Sequence, residues 1–125
     1  MRSRLTLAAV LVAIVALAPS GHAQKTPAKV GLLLSYTGVL GLYGPEMTKA
    51  IELYLKQAGD DIQLIREDDE GKPDIGLTKL RKLVERDRVN FLIGPVSSAV
   101  ALAIRNYLDE KKVPTVVPIN RKSVV

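Results

Sequence analysis

Two short segments of this 125-residue chain carry the residue types that can hold a small anion. The first is Ser35 to Gly44 (SYTGVLGLYG), which combines hydroxyls and aromatics with Gly38, Gly41 and Gly44. The second is Gly94 to Ser98 (GPVSS). Each runs straight into an amphipathic stretch and so ends at a helix N-terminus, where free backbone N–H groups and the helix dipole favour a carboxylate or phosphate. The three glycines would let the backbone approach a ligand closely. Ser97 and Ser98 add hydroxyl donors, although a serine opening a helix also serves simply as its N-cap. Tyr43, beside a helix start, suits packing as well as a ligand platform. The run Glu67-Asp68-Asp69-Glu70 has the carboxylates that a hard cation wants. It lacks calcium-loop spacing and reads as a solvated acidic loop. Lys79, Arg81, Lys82, Arg86 and Arg88 are interrupted by Glu85 and Asp87, which makes a solvated helix face and not a nucleic-acid stripe.

Several chemistries are excluded by composition. The chain has no cysteine, which removes disulfides, thiolate metal sites and cysteine nucleophiles. Its single histidine, His22, lies in a segment read below as removed, so histidine triads and imidazole bases go too. A serine hydrolase using Ser97 or Ser98 would then lack a base. No catalytic group is thereby identified; that the protein is not an enzyme and needs no metal or cofactor is an expectation that rests on the resemblance given below. Formal charge is +5, and +3 once Arg2 and Arg4 are set aside, a mildly basic balance that does not by itself indicate nucleic acid.

Residues 1–23 read as a cleavable export signal. Arg2 and Arg4 precede an apolar run from Leu5 to Ala18, and Gly21 and Ala23 stand at −3 and −1 of a cut before Gln24. As a helix this run would reach about 21 Å, short of the roughly 30 Å of membrane hydrocarbon. The expected location is periplasmic or extracytoplasmic, with residues 24–125 as the mature chain.

The elements that must position the two loops follow from periodicity. Lys29 to Ser35 is a continuous apolar strand, buried on both faces. From Pro45 an i, i+3, i+4 series (Met47, Ala50, Ile51, Tyr54, Leu55, Ala58) predicts a helix ended by Gly59. Asp61 to Glu67 is a less apolar strand nearer a sheet edge, followed by the loop Asp68 to Asp74. Asp74 then caps a helix with Leu77, Leu80, Leu83 and Val84 inward. Val89 to Ile93 forms a third strand. Ser97 or Ser98 opens a helix facing inward with Val100, Ala101, Ile104, Tyr107 and Leu108, and Pro114 to Ile119 is a fourth, buried-type strand. This β-α-β-α-β-α-β order predicts an α/β fold with a doubly wound parallel sheet. A strand order of 2-1-3-4 would place the ligand-binding crevice between the first and third strands, where both distinctive loops emerge. Stopping just after a buried strand suggests an incomplete domain.

Taken together, the loops resemble a known family. KVGLLLSYTGVLGLYGPEMTKAIELYL is similar to the opening of type I periplasmic substrate-binding proteins of the leucine/isoleucine/valine-binding kind. DDEGKPD, VERDRVNFLIGPVSSAVALAI and VPTVVPIN match that family's later segments in order and spacing, over Lys29 to Asn120. The resemblance implies part of the N-terminal lobe of a hinge-closing receptor, with the second lobe absent. Such receptors capture amino acids of the branched-chain type, or related carboxylates, and deliver them to an ABC permease in the membrane. It also implies site residues: Ser97 and Ser98 for the ligand carboxylate, Tyr43 before the first helix, and Ile119, Asn120 and Arg121 in the turn after the fourth strand. The family often has small residues and a threonine in that last turn, so Asn120 and Arg121 depart from it. An arginine there would suit a ligand with an extra acidic or aromatic-acid group. With one lobe only, the chain is expected to bind weakly or not at all.

Two other readings compete. A dinucleotide-dependent enzyme would use a glycine loop after the first strand and Glu67 or Asp68 after the second, but the spacing is G-x-x-G-x-x-G and the loop is long for the tight turn. A sensory receptor lobe of the same fold, reporting to a membrane partner without transport, is not separated from transport by fold alone.

Overall fold

The computed structural model describes residues 26–118. The proposed export signal and Ile119, Asn120 and Arg121 lie outside that range. The described chain runs β1 (Ala28–Leu34), α1 (Tyr43–Ala58), β2 (Ile62–Asp68), α2 (Pro73–Arg81), β3 (Phe91–Ile93), α3 (Ser98–Lys111) and β4 (Thr115–Val116). The four strands form one sheet in the order β2-β1-β3-β4, and every pairing is parallel. The fold class read from the sequence is the one observed.

β1 is the axis of the molecule. Leu32, Leu33 and Leu34 have no exposed surface, and their alternation feeds two separate cores. Leu33 packs with Leu80, Leu83, Leu92, Val100 and Ile104, beneath α2 and α3. Leu32 and Leu34 pack with Val96, Met47 and Ile51, beneath α1. Helices therefore cover both faces, which is why the strand carries no polar alternation.

Four sequence expectations are corrected. In α1, Ala50, Tyr54 and Ala58 are exposed, whereas Gly44 and Thr48 are buried with Met47, Ile51 and Leu55 half-buried. The buried stripe is turned toward Thr48 because that hydroxyl is satisfied internally: it donates to the Gly44 carbonyl (2.8 Å) and pairs with the Tyr36 hydroxyl (2.7 Å). Asp74 does not cap α2. Lys72 holds the cap position, and Pro73, with its preset φ and no N–H, starts the helix two residues earlier. Asp74 instead sits in the first turn, where it complements the helix dipole. β3 is three residues long, because the Lys29 amide donates to the Asn90 side chain (Oδ1, 2.9 Å) and not to a backbone carbonyl, although the Asn90 N–H still donates to the Lys29 carbonyl (2.8 Å). β4 is shorter still and not buried: Val116 and Val117 are 50% and 38% exposed, because among the described residues β4 has a sheet neighbour on one side only. A feature the periodicity did not foresee is the π-helical turn Lys82–Arg86 that extends α2 and brings Lys82 onto Glu67.

Candidate functional site

β1 and β3 are adjacent and parallel, with Leu32 opposite Ile93, so the loops that follow them leave the same edge of the sheet. This is the carboxyl edge, at the point where strand order reverses. The serine loop crosses directly over the end of β1. Gly94 adopts φ +118°, and a Cβ there would stand 1.9 Å from the Leu33 carbonyl oxygen, so only glycine fits. Ser97 has extended backbone and is the N-cap of α3, its Oγ accepting a long bond from Val100 N (3.5 Å). Ser98 is the first residue of α3 and is exposed. Tyr43 is the first residue of α1, 45% exposed, with Val39 and Leu42 more exposed beside it in the chain. The fold therefore brings Tyr43, Ser97 and Ser98 to one edge of the molecule.

The glycine loop is held from below by acids that the sequence assigns to a solvated loop. That expectation is wrong: Glu67 is 8% exposed and Asp69 is fully buried. Leu34 pairs with Asp68 across the β1–β2 register, so the end of the edge strand stands beside the start of the loop. Asp69 Oδ1 accepts from Ser35 Oγ (2.6 Å) and from Gly71 N (2.8 Å). Asp68 Oδ1 accepts from Tyr36 N (2.9 Å), Glu70 N (2.9 Å) and Thr37 N (3.4 Å), while Oδ2 accepts from Thr37 Oγ1 (2.7 Å). Two successive carboxylates thus grip three successive residues, Ser35, Tyr36 and Thr37. No group of three His, Cys, Asp or Glu residues that could hold a metal is found among the described residues.

The loop glycines are likewise occupied by the protein itself, not held open for a ligand. A Cβ at Gly44 would meet the Ser35 carbonyl oxygen at 2.5 Å, one at Gly38 the Glu70 carbonyl oxygen at 2.9 Å, and one at Gly41 Thr37 Cα at 3.0 Å. The N-terminus of α1 is therefore pressed against the end of β1, and Gly44 N donates to Ser35 O (3.0 Å). From there the Tyr36 hydroxyl reaches Thr48, which returns to the Gly44 carbonyl. Composition could not single out Asp68, Asp69, Tyr36 or Thr48. The available signal was positional: in a parallel sheet, the residue ending an edge strand faces the turn leaving its neighbour.

Charge in this region is governed by burial and donors. Burial opposes ionisation of Asp68, but the Thr37 hydroxyl and the Glu70, Tyr36 and Thr37 amides outweigh it and hold the carboxyl below its usual range. Burial raises the Tyr36 phenol above its ordinary value despite its bond to Thr48. Glu67, on the far side of β2, also resists protonation: burial opposes its charge, but hydrogen bonds from Lys82 and Lys79 (the latter 3.0 Å) prevail.

Residues 27–123 match the family model described as Periplasmic binding protein. A Leu/Ile/Val-binding protein of Rhizobium johnstonii is 33% identical over 120 residues, which cover 90% of this chain and 32% of that protein. Among solved structures, a solute-binding protein of an ABC transporter from R. palustris in complex with benzoate shares 35% identity and a TM-score of 0.70, over 74% of this chain and 27% of its own. Another, from Rhodopseudomonas palustris BisB5 in complex with 3,4-dihydroxybenzoic acid, shares 33% identity and a TM-score of 0.66, over 73% and 26%. The chain thus spans about a third of the curated relative and about a quarter of these structures. A doubly wound sheet with its two distinctive loops at one switch point, and a family match over nearly all the described residues, agree: the chain belongs to the periplasmic binding proteins, with the fold of their type I members.

Proposed function

We propose that this chain forms one wall of an extracytoplasmic site for a small carboxylate, in a solute-binding component that serves an ABC permease. The observation that carries the reading is the placement of the α3 N-terminus, opened by Ser97 and Ser98, on the same carboxyl edge as Tyr43. Free N–H groups and the helix dipole favour an anion there, and the two hydroxyls supply further donors. Ile119, Asn120 and Arg121 follow β4 and would complete this wall. Export through a cleaved signal over residues 1–23 is part of the same proposal.

An aromatic acid is the narrower reading. It is supported by the 35% and 33% identity to proteins solved with benzoate and with 3,4-dihydroxybenzoic acid, and by Arg121, whose guanidinium suits a second acidic group. Against it stands the equal likeness to a Leu/Ile/Val-binding protein. A dinucleotide is disfavoured because Gly38, Gly41 and Gly44 are packed against the protein's own backbone.

Amide chemical-shift titration of residues 24–125 with benzoate, 3,4-dihydroxybenzoate, leucine and isoleucine tests the proposal. At least one acid should shift the amides of 36–44 and 96–99 with millimolar affinity. No shift with any acid, or shifts confined to other surfaces, would overturn it, and micromolar binding would overturn the view that this is one wall of two.

A further inference from the structure

Resting on that reading of the site, we infer that Asp68 is a positioning residue: it sets the ligand-facing loop without touching the ligand. The path is continuous. Asp68 fixes the Tyr36 and Thr37 amides and the Thr37 hydroxyl. The ring of Tyr36 carries that constraint to Thr48, and Thr48 Oγ1 donates to the carbonyl of Gly44, next to Tyr43 in the first turn of α1. Asp69 reinforces the same turn one residue earlier through Ser35. Backbone closure at the far end of the loop is supplied by Gly44 N on Ser35 O.

The carboxylate is the right group for this work. Its two oxygens accept at least four hydrogen bonds in one place, from donors on two different loops: Tyr36 and Thr37 after β1, and Glu70 after β2. No lysine or arginine is paired with it among the described residues, so its charge is balanced by backbone amides and the Thr37 hydroxyl. Charge-assisted bonds of this kind are shorter and stronger than neutral ones. At the tip of the loop they hold, Thr37, Gly38 and Val39 are exposed, Val39 fully so, and the other ties are the Gly41 N–H to the Gly38 carbonyl (3.1 Å) and the close packing of Gly38 on the Glu70 carbonyl. Holding such a loop in one shape lowers the ordering cost of binding, so removing the clamp weakens binding even where the rest of the fold is intact.

The test compares Asp68→Ala, Asp68→Asn, Thr37→Val and, as a remote control, Tyr107→Phe, which loses a bond to Glu85 between α2 and α3. Hydrogen exchange of the 36–44 amides should quicken about tenfold in Asp68→Ala and less in Thr37→Val, as expected for losing several and one charge-assisted bonds respectively, with α3 and β3 unchanged. Affinity for the best-bound of the four acids should fall in the same order. Asp68→Asn, which keeps an oxygen for the Tyr36 and Glu70 amides, should recover most of both. Tyr107→Phe should leave loop exchange and affinity at the wild-type level. Loop exchange and affinity within about twofold of wild type in Asp68→Ala would overturn the inference, as would a uniform rise in exchange that includes α3. If Asp68→Ala does not fold, Thr37→Val decides by the same two readouts. Should the wild-type protein bind none of the acids, the proposed function fails, and loop exchange alone then decides the role of Asp68.

Discussion

A carboxylate buried beside lysines behaves differently from one buried beside amides, and this chain contains both within two residues. Glu67 is met by Lys79 and Lys82, whereas Asp68 is met by backbone N–H groups and a hydroxyl. Both are held below the ordinary carboxylate value, so each contributes stability that is present above its unfolded pKa and is lost as pH falls through its folded one. Urea unfolding should therefore show stability declining below the unfolded carboxylate range of about 4. In Glu67→Gln the decline should be shallower, with a loss of about 1 kcal/mol at neutral pH, since Lys79 and Lys82 are partly solvated and Lys82 keeps Asp87 as a partner. An unchanged acid slope in that variant would contradict the assignment. Asp69 is the third case: its Oδ1 has two donors, while its Oδ2 is buried without a hydrogen-bond partner.

At the scale of elements, the contact between α2 and α3 is the least forgiving. Gly76 is buried, and a methyl there would stand 2.4 Å from Val100 Cγ1 on α3. The outer end of the same pair is tied by Tyr107, whose hydroxyl donates to Glu85 (2.8 Å) and whose ring lies 5.7 Å from both the Arg81 guanidinium and the Lys111 ammonium. Burial and the Glu85 carboxylate push the Tyr107 phenol up to about 12, so it stays a donor throughout the physiological range. Gly76→Ala should cost about 1–3 kcal/mol by overpacking, read as a lower urea midpoint with unchanged slope. A neutral result would mean that the two helices can part without penalty. The inner faces of α2 and α3 were legible from spacing, because Leu77, Leu80, Leu83, Val100 and Ile104 recur at helical intervals and do pack inward. The face of α1 was not legible, because its buried line runs through Gly44 and Thr48, neither of which is marked by hydrophobicity.

Across the whole molecule, the sheet divides the interior into two cores that share a single strand. Leu32 and Leu33 are adjacent, equally buried, and serve opposite cores. Leu→Ala at either position should cost about 2–5 kcal/mol. The local consequences should differ: hydrogen exchange should quicken chiefly in α1 for Leu32→Ala, and chiefly in α2 and α3 for Leu33→Ala. Equal loosening of all three helices by both variants would mean that the two cores unfold as one unit. The exposed apolar side chains lie outside both cores: Val39, Leu42 and Tyr43 on the carboxyl edge, Leu53 and Tyr54 on α1, Leu102 on α3, and Val116 and Val117 at the β4 edge.

The strand order 2-1-3-4, which makes β1 and β3 neighbours, was decided by the tertiary structure; what the sequence determined by itself was the alternation of strand and helix, a parallel sheet, and a glycine loop and a serine loop that each leave the end of a strand for a helix. These follow from periodicity, turn residues and connection rules, all of which act over short stretches of chain. Only the tertiary structure decided that Asp68 and Asp69 turn inward onto Ser35, Tyr36 and Thr37, that the loop glycines face the protein's own carbonyls, and that α1 buries a threonine. Each of those outcomes depends on which polar group finds a partner more than 30 residues away in the chain or on a neighbouring element. The local preferences of Asp and Gly for turns, and of Thr for strands, give no sign of such a partner until the strands are side by side.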